Sequence, residues 1–558
     1  MPAWYDYSKT GAYKGTAPTS NYGQGHYISR VFTALALDGR TVAGSAELGD
    51  SLGARSGFRE ASVLSTIVSP TDSNFGGWWA EGANYGPLAV ENLLLAGLAY
   101  EQAGLGTAAA ERAWAGQVVR ALVHARPASF PYRSNTLGET RQGYVYPVGD
   151  GYHYPMPFPG AELFKVLTAA AGDENAKGYA NLEVHRSAHR GEAGWIDLGL
   201  YDPAAPVLDW TAVEPTQYFA QGQGVVFARA DWSYVSTWIA FQLGNTVVAD
   251  HQGFCPGNLL IYRGADDLLF DANNYTGNQG YPTSVCKSTY ANLVVLDDGG
   301  DGVQVYRNSM GVWYGPLHNT AGCSIDRYED GRNFVYVSGD YTEAYSSNHS
   351  PGNGGSASEL RRSVFYVRPD YVVVHDRVAT KKSQYTKHLR WHAHDAPAVD
   401  GNSWVIGRGK SRLFGATYAS VPLVTTWSLV TALKPNFYQI VTRNAEPVSR
   451  VRYVTALQTA PASTPGMVAT SRVSSSGGGL EGVLMGDVIV LFGDAKGLAD
   501  PETYAFTHAG PLTHYIAGLP PNRRYTLSGA VSGQVTTSSA GVLAFKSTGD
   551  GPQTVSLR

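Results

Sequence analysis

The character of the sequence changes near Tyr201, and this change limits the chain to a small set of folds. Before it, apolar residues recur at helical spacing, as in Tyr27 to Leu37 and Leu88 to Ala103. After it, short segments of alternating apolar and polar residues dominate, separated by turn residues at intervals typical of β-sandwiches. The sequence therefore predicts an α+β multidomain protein, with paired helices first and antiparallel sheets afterwards.

The order of the predicted elements gives the domain organisation. At 558 residues the chain exceeds one ordinary hydrophobic core, so two to four domains are expected. Paired amphipathic helices predict a helical hairpin array or an (α/α) toroid over residues 1–200, and the family resemblance given below implies that such a toroid is incomplete. A central antiparallel β-sandwich is predicted over residues 201–390, and a C-terminal β-sandwich or sheet domain over 391–558. Further helices are predicted from Thr107 to about Ala125 and from Gly160 to His185, and strands at 225–232, 237–244, 333–340, 363–378, 387–394 and 486–493.

Charge and composition exclude several classes of function. The net charge is −4 and the pI is near 6.4, so the chain has no overall basic field and nucleic acid is not an expected partner. No run of about 18 apolar residues is present, so no membrane span is expected. Aromatic residues make up 12% of the chain, which suits either sugar-stacking platforms or β-rich cores. The cysteines Cys255, Cys286 and Cys323 have no C-x-x-C spacing, so neither a zinc ribbon nor a thioredoxin-type motif is present. One disulfide with one free thiol and three free thiols both stay open.

Two helix entries carry polar and aromatic side chains suited to chemistry. The segment from Asn21 to Tyr27 (NYGQGHY) places an amide, an imidazole and phenols before a helix, whose positive N-terminal end favours an anion. The segment from Gly76 to Tyr85 (GGWWAEGANY) places Tyr85 in the first turn of the next helix, beside two tryptophans. Both also have structural interpretations, as a helix cap with surface aromatics or as a core tyrosine bonded to backbone.

A third segment, from Ala249 to Tyr275, combines a histidine and an acid around a predicted β-hairpin. Its strands are Leu259 to Tyr262 and Leu268 to Phe270, with His251 before them and Asp271 at their end. A histidine at the mouth of such a hairpin can transfer protons or bind a metal. A buried histidine bonded to a backbone carbonyl is the structural alternative.

Together these segments resemble the heparinase II/III-like polysaccharide lyases, a group that also includes exo-type alginate lyases. The resemblance covers roughly residues 20 to 380 and includes five motifs in the family's order. They are NYGQGHYISRVFTALAL from Asn21, GGWWAEGANYGPLAVENLLLAGLAY from Gly76, QGQGVVFARADW with WIAFQLG from Gln221, DHQGFCPGNLLIYRGADDLLFDANNY from Asp250 and KSTYANLVVLDDG from Lys287. The resemblance implies a lyase acting on a uronate-containing glycan.

The resemblance also implies roles for individual residues. Tyr85 lies at the family's tyrosine that acts as base, acid or both, and His251 lies at the histidine that faces the sugar from the other side. Asn21, with His26 or Tyr22, lies at the group that neutralises the uronate carboxylate. Substrate contacts are expected from Tyr22, Trp78, Trp79, Glu81, Arg229 and Tyr290.

The chemistry of β-elimination explains why these residue types are needed. A lyase removes the weakly acidic proton on C5 of a uronic acid and expels the oxygen on C4. Amide or imidazole hydrogen bonds to the carboxylate stabilise the enolate-like intermediate. A phenol can take that proton only if its pKa of about 10 is lowered by nearby positive charge or hydrogen bonds. Tyr85 alone suits syn elimination, whereas Tyr85 with His251 suits anti elimination.

The chain departs from the family pattern where relatives hold a structural metal, usually zinc. The second histidine of the family's H-Q-H is Gly253 here, the histidine of its A-H-N segment is Asn292 or missing, and only the acid, Asp271, is retained. A metal-free, hydrogen-bonded replacement is the favoured interpretation. A zinc site with new ligands from Cys255 and Cys286 is the alternative, and calcium is the other structural metal that stays open. The elimination itself requires no cofactor.

Two other functions stay open beside the lyase. A uronyl C5-epimerase shares the proton abstraction but returns the proton to carbon. A non-catalytic carbohydrate-binding protein would use the same scaffold, as the lost metal ligands and the short helical region before Asn21 suggest. The expected partner is an anionic polysaccharide, met in a secreted or periplasmic location. The N-terminus, MPAWYDYSKTG, has no signal-peptide features, so either the protein is not secreted by that route or the sequence is a mature or truncated form.

Overall fold

The chain forms two compact units, and the structure combines helices with large antiparallel sheets. Unit 1 contains residues 1–256, 271–290 and 304–321, and unit 2 contains residues 257–270, 291–303 and 322–558. The computed structural model describes residues 20–37, 59, 63–128, 132–133, 140–141, 143–147, 158–187, 194–244, 256–272, 288–297, 306–307, 313–314, 323–345, 356–431, 436–493, 498 and 500–558. The predicted combination of helices and antiparallel sheets is confirmed, whereas the toroid and the boundaries at 200 and 390 stay predictions.

The described α-helices all lie in unit 1. They are α1 (Asn21–Leu37), α2 (Gly82–Gln102), α3 (Ala109–His124), α4 (Ala161–Ala170), α5 (Glu174–Arg186) and α6 (Gly194–Gly199). The pairs α1–α2, α2–α4, α3–α5 and α4–α5 pack together over a core of small and branched apolar side chains. None of the helices in the described ranges is both long and apolar enough to cross a membrane.

Two helix boundaries differ from the sequence prediction, and side-chain caps explain both. Helix α1 begins at Asn21 because the hydroxyl of Ser20 accepts a hydrogen bond from the N–H of Gly23 at 3.0 Å. The single helix predicted from Gly160 to His185 is two helices. Asp173 starts the second by accepting from the N–H groups of residues 175 and 176. Apolar periodicity alone does not reveal these caps, because capping residues are polar.

A small sheet is joined to the helices of unit 1. Strands β3 (Gln217–Ala220), β4 (Val225–Arg229) and β5 (Thr237–Gln242) pair antiparallel. Gly76 contacts the sheet so closely that a Cβ there would lie 2.7 Å from the Cα of Ala220, and its φ of +85° also favours glycine. Unit 1 therefore extends past residue 201. Its other strands are β1 (Tyr132–Arg133), β2 (Thr140–Arg141), β9 (Tyr306–Arg307) and β10 (Trp313–Tyr314).

Unit 2 is built from β-strands. Its first hairpin pairs β6 (Asn258–Arg263) with β7 (Asp266–Leu269), which confirms the hairpin predicted after His251. The remaining strands are β8 (Val294–Asp297), β11 (Ser324–Gly331), β12 (Phe334–Asp340), β13 (Ala357–Val367), β14 (Tyr371–Thr380), β15 (Thr386–Ala393), β16 (Ala398–Asp400), β17 (Ser403–Arg408), β18 (Ser411–Ala419), β19 (Leu423–Val430), β20 (Phe437–Asn444), β21 (Arg450–Pro461), β22 (Thr470–Ser474), β23 (Glu481–Met485), β24 (Val488–Phe492), β25 (Glu502–Ala517), β26 (Arg524–Gly529), β27 (Gly533–Thr536) and β28 (Leu543–Leu557).

Two large sheets of unit 2 pack face to face. The eight-stranded sheet has the order β11-β12-β13-β14-β21-β18-β17-β16, and the seven-stranded sheet has the order β22-β23-β24-β25-β28-β26-β27. A four-stranded sheet, β19-β20-β15-β8, completes the unit. Phe365, Val373 and Val454 of the first sheet share one apolar core with Val490 and Phe492 of the second. This burial holds the two sheets together as a sandwich.

Candidate active site

A buried carboxylate joins the starts of α1 and α2. Glu81, the residue before α2, is fully buried, and its Oε2 accepts the backbone N–H of Asn21 at 2.6 Å. The same oxygen accepts the indole N–H of Trp79 at 3.0 Å. Charge-assisted hydrogen bonds of this kind are stronger than neutral ones. Glu81 therefore fixes the first residue of α1 against the first turn of α2.

Tyr85 lies in the first turn of α2, where the sequence predicted it. It follows Glu81 by four residues, which is about one helical turn, so the two side chains lie on the same face of the helix. Glu81 in turn holds Asn21. Asn21 and the partly exposed Tyr85 are therefore at the same end of the α1–α2 pair.

One face of α1 carries a phenol, an imidazole and a guanidinium. Tyr22, His26 and Arg30 follow one another at four-residue spacing, which aligns them along the helix. Tyr22 is 43% exposed, and the other two are half-buried. Burial, and then the charge of Arg30, lowers the pKa of His26 below its usual value, so the imidazole is neutral near pH 7. Arg30 was not predicted as a site residue, although its spacing from His26 was visible in the sequence.

Two further polar residues of α2 were missed by the sequence prediction. Burial and the charge of Glu162 raise the pKa of Glu91 to about 7. Asn92 is seven residues after Tyr85 and so lies on the same face of α2. Gly25 of α1 approaches this amide, because a Cβ at Gly25 would lie 3.9 Å from its Nδ2. The sequence offered one signal for these two residues, because they are a glutamate and an asparagine inside an otherwise apolar helix.

The two tryptophans predicted to contact sugar are buried. Trp78 is 4% exposed, and its ring lies 5.5 Å from the ring of Tyr146 and 5.6 Å from that of Phe227. Trp79 is 3% exposed and lies 6.2 Å from the ring of Trp114. These rings pack helices and sheet together within unit 1. Their sugar contacts, and that of the buried Glu81, stay predictions.

Arg229 is also part of the interior of unit 1. It is buried, and its Nη2 donates to the carbonyls of His124 at 3.1 Å and Arg126 at 2.7 Å. Its guanidinium lies 4.0 Å from the centre of the Trp232 ring. Arg229 therefore binds the end of α3 to the strand β4, and a contact with substrate stays a prediction.

The backbone segments around Asp271 and Tyr290 lie next to each other. Asp271 is buried just past Phe270, which follows β7, and the N–H of Ala272 donates to the carbonyl of Tyr290 at 3.1 Å. His251, Gly253, Cys255 and Cys286 lie outside the described residues. The meeting of Tyr85 and His251 across one groove is therefore still a prediction.

Asn292 is at the centre of a hydrogen-bond network. It stands at the position where the family that the sequence resembles is expected to have a histidine. Its amide N–H groups donate to the carbonyls of Leu259 at 2.9 Å and Phe270 at 3.0 Å. Its Oδ1 accepts the backbone N–H of His392 at 2.8 Å and lies 3.1 Å from that residue's Nδ1. The Nε2 of His392 lies 2.9 Å from Nε2 of Gln439, so the imidazole is a neutral donor at Nδ1 and acceptor at Nε2.

This network bears on the predicted metal site. The amide of Asn292 uses both its donors and its acceptor inside the protein, so it is not arranged as a metal ligand. In the part of the chain that the structure describes, no three His, Cys, Asp or Glu side chains form a group able to hold a metal ion. A metal at Asp271 would therefore need ligands from outside the described residues, and it stays a prediction.

Comparisons with known proteins give likeness at the level of fold. No family model and no curated protein sequence matches the chain. A crystal structure titled heparinase III has a TM-score of 0.57 at 14% identity, covering 85% of this chain and 66% of its own. A mutant of the heparan sulfate lyase HepC from Pedobacter heparinus has a TM-score of 0.55 at 12% identity, with coverages of 86% and 66%.

A second heparinase III structure covers 98% of this chain and 68% of its own length, with a TM-score of 0.53 at 10% identity. The chain thus spans about two thirds of the length of these structures. At such low identity the likeness shows a heparinase-like fold of helices followed by sheets.

Proposed function

We propose that this protein is a polysaccharide lyase that cleaves an anionic, uronate-containing glycan by β-elimination. The observation that carries the proposal is the hydrogen bond from Asn21 to Glu81, which brings Asn21 to the end of α2 where Tyr85 lies. A phenol and an amide beside a helix N-terminus suit proton abstraction next to a carboxylate. The heparinase-like fold supports the same reaction class.

Tyr85 is proposed to transfer the protons. Its phenolate removes the proton on C5 of the uronate, and the electron pair left behind forms the C4–C5 double bond. The C4–O bond breaks as this double bond forms. The departing oxygen then receives a proton from the same phenol, which restores the phenolate. The products are a shortened glycan and an oligosaccharide that ends in an unsaturated uronate.

Asn21, His26 and Arg30 are proposed to hold the carboxylate of the substrate. The negative charge on that carboxylate increases as the C5 proton leaves, so hydrogen bonds to it strengthen in the transition state. Asn21 offers an amide at the positive end of α1, and neutral His26 offers one N–H. Arg30 adds a full positive charge on the same helix face, which also favours the ionised form of a nearby phenol.

The other parts of the proposal follow from the same chemistry. His251 would take the C5 proton from substrates in which that proton points away from Tyr85, giving anti elimination. The reaction needs no cofactor, because proton transfer and charge stabilisation by side chains are sufficient. A polymeric substrate of this kind places the protein outside the cytoplasm, in a secreted or periplasmic location.

A panel of uronate polysaccharides tests the proposal. Purified protein is incubated with alginate, heparan sulfate, hyaluronan, gellan and ulvan, and the ultraviolet absorbance of the new double bond is followed. We expect one glycan to give rising absorbance together with falling polymer length, whereas neutral dextran gives neither. Deuterium uptake at C5 without cleavage would identify an epimerase instead. Binding without either change would leave a carbohydrate-binding protein.

A further inference from the structure

A fully enclosed histidine ends helix α3 in unit 1. His124 is the last residue of α3, and none of its surface is exposed. In the part of the chain that the structure describes, neither of its ring nitrogens has a hydrogen-bond partner. Buried polar groups in folded proteins are nearly always hydrogen-bonded, so an imidazole without partners is a feature that stability alone does not favour. The proposed elimination makes no use of it.

The ring of His124 is held between two aromatic side chains. It stacks on Tyr218 of β3, with ring centres 5.4 Å apart and planes inclined by 18°, and its centre lies 5.1 Å from that of Trp232. A carboxylate oxygen, Oε2 of Glu214, is 3.9 Å from Nε2 of His124, which is too far for a hydrogen bond. Glu214 instead accepts from Nε of Arg120 at 3.2 Å. These surroundings suit an uncharged ring.

The charges near the ring also favour its neutral form. Burial lowers the pKa of His124 to about 4, the charges of Arg229 and Arg120 act in the same direction, and Glu214 opposes them. Three further titratable or charged groups among the described residues lie around this cluster: Tyr218 of β3, Tyr179 of α5 and Asp173, which precedes α5. A proton on His124 would add positive charge beside two guanidinium groups in the interior of unit 1.

The backbone of His124 is tied to the sheet of unit 1. Its carbonyl accepts the indole N–H of Trp238 of β5 at 2.8 Å and Nη2 of Arg229 of β4 at 3.1 Å. These two bonds, together with the stack on Tyr218, form the α3–sheet junction. Because the backbone is held and the ring is enclosed, the imidazole meets water only if α3 separates from the sheet. Hydration of a protonated ring and a closed junction therefore exclude each other.

Tyr218 connects this ring to the segment that leads into α2. Its hydroxyl donates to the carbonyls of Gly76 at 3.1 Å and Gln117 at 3.4 Å. The side-chain oxygen of Gln117, in α3, accepts the N–H of Gly76 at 2.7 Å. A Cβ at Gly77 would lie 2.3 Å from the backbone of Gln117, so the segment is fitted closely against α3. Glu81 follows a few residues later, so its position depends on this contact.

We propose that His124 is an acid-sensitive switch, which keeps the α3–sheet junction closed while it is neutral and opens the junction when it is protonated. Opening separates Tyr218 from His124 and releases Gly76, so the segment that carries Glu81 loses its fixed position. The effect on the elimination assigned to Tyr85 rests on the proposed function. The opening of the junction is a property of unit 1 and depends on no reaction.

The sign of the pH dependence follows from the direction of the pKa shift. The folded-state pKa of His124, about 4, is below the ordinary value of 6.5, so a state that exposes the ring binds the proton more tightly. The stability of the closed junction therefore decreases as pH falls from 6.5 to about 4 and is constant above and below that range. Glu91 acts in the opposite direction, since its pKa is raised. The switch is therefore measured as a difference between a variant and the unchanged protein.

His124→Phe tests the switch at equilibrium. Phenylalanine keeps a ring between Tyr218 and Trp232 and cannot be protonated. We expect the variant to melt close to the unchanged protein at pH 8 and about 2–4 °C higher at pH 5. His185→Phe, at an exposed histidine of α5, is the matched control and should leave this difference unchanged. His124→Gln cannot titrate either, so it should lose less melting temperature between pH 8 and pH 5 than the unchanged protein, even if it is less stable at both.

Hydrogen exchange shows where the protein opens. After correction for the intrinsic effect of pH, protection in peptides covering residues 72–81 and 117–124 should fall at pH 5 in the unchanged protein and stay constant in His124→Phe. A peptide covering residues 411–419 of unit 2 is the internal reference and should not differ between the two proteins. An equal loss of protection in His124→Phe, or an equal loss of melting temperature on acidification, would overturn the switch.

The connection to the active site is tested on whichever glycan the protein cleaves. His124→Phe should extend turnover to lower pH by about 0.5 pH unit or more with KM unchanged, because the segment before α2 stays in place. An acid limit of turnover at the same pH in both proteins would overturn this connection. Absence of cleavage of any glycan would reject the lyase proposal, and the melting and exchange measurements would still decide the switch.

Discussion

The backbone N–H of Asn21 and the carboxylate of Glu81 are joined by a 2.6 Å hydrogen bond between positions 60 residues apart. The acceptor, Glu81, is buried. The bond connects the first residue of α1 with the residue that precedes α2. Tyr85 is one turn further along that second helix. The geometry of the proposed active site therefore depends on a carboxylate that is itself fully enclosed.

Replacing Tyr85 with phenylalanine removes the group proposed to carry protons while keeping the ring. We expect turnover to fall at least about a hundredfold, since positioned acid–base groups contribute about 10²–10⁴ to rate. The melting temperature should stay within the range of the matched control Tyr234→Phe, an exposed tyrosine. Retained turnover in Tyr85→Phe would reject this residue as the proton carrier.

Asn21→Asp separates the role of Asn21 in folding from its role in chemistry. An acid in the first turn of α1 is favoured by the helix dipole but lies beside the carboxylate of Glu81, so these opposed effects should leave the melting temperature close to that of the unchanged protein. The same negative charge repels the uronate carboxylate, so the turnover number should fall about 10²-fold or more, as with loss of an oxyanion donor. Steady-state kinetics on the cleaved glycan measure this. An increase in KM alone would show that Asn21 does not act in the transition state.

Glu81→Gln tests whether Glu81 positions the site. The substitution keeps the shape but removes the charge that strengthens the bonds from Asn21 and Trp79, so the free energy of unfolding should fall by about 1–3 kcal/mol. Denaturant unfolding monitored by tryptophan fluorescence gives this value. We also expect a lower turnover number with little change in KM. A rise in KM alone would instead indicate that Glu81 contacts the substrate.

Glu91 makes the stability of the α1–α2 region depend on pH. Its folded-state pKa, near 7, exceeds the ordinary value of 4.5, so the folded state holds the proton more tightly than the unfolded state. Stability therefore decreases as pH rises from about 4.5 to 7 and is constant above that range. Glu91→Gln should melt at a higher temperature than the unchanged protein at pH 8, with a smaller difference at pH 5. Equal differences at both pH values would contradict the assignment.

Chelation of divalent metals tests the predicted independence from cofactors. We expect turnover and melting temperature to be unchanged after dialysis against a strong chelator. The reason is that Asn292 hydrogen-bonds to Leu259, Phe270 and His392 where relatives are expected to have a metal-binding histidine. Loss of activity that zinc or calcium restores would show that residues around Asp271 bind a metal.

Local sequence patterns predicted much of the secondary structure. The position of Tyr85 in the first turn of α2 is confirmed, as is the hairpin formed by β6 and β7. Both follow from the spacing of apolar residues and from turn residues, which act over a few positions. Helix α1 was predicted to begin at Tyr27, but it begins at Asn21. Gly23 and Gly25 obscure the helical pattern of the first residues, which Ser20 caps.

Residue type did not predict which aromatic and charged side chains of the candidate site are buried. Trp78, Trp79 and Arg229 have the composition of a sugar-binding surface, yet all three are buried within unit 1. Their burial depends on Tyr146, Trp114 and the end of α3, none of which is close in sequence. Residue type alone does not distinguish a stacking platform from a core.

Local sequence sets the succession of helices and strands, the placement of Tyr85 and the order of the polar motifs, because each depends on neighbours within a few residues. The enclosure of Glu81, the half-burial of His26 and Arg30, and the stacking of the buried His124 on Tyr218 are apparent only in the folded chain. Those outcomes are set by the packing of distant segments, which determines burial, and burial governs whether a polar group can meet a ligand.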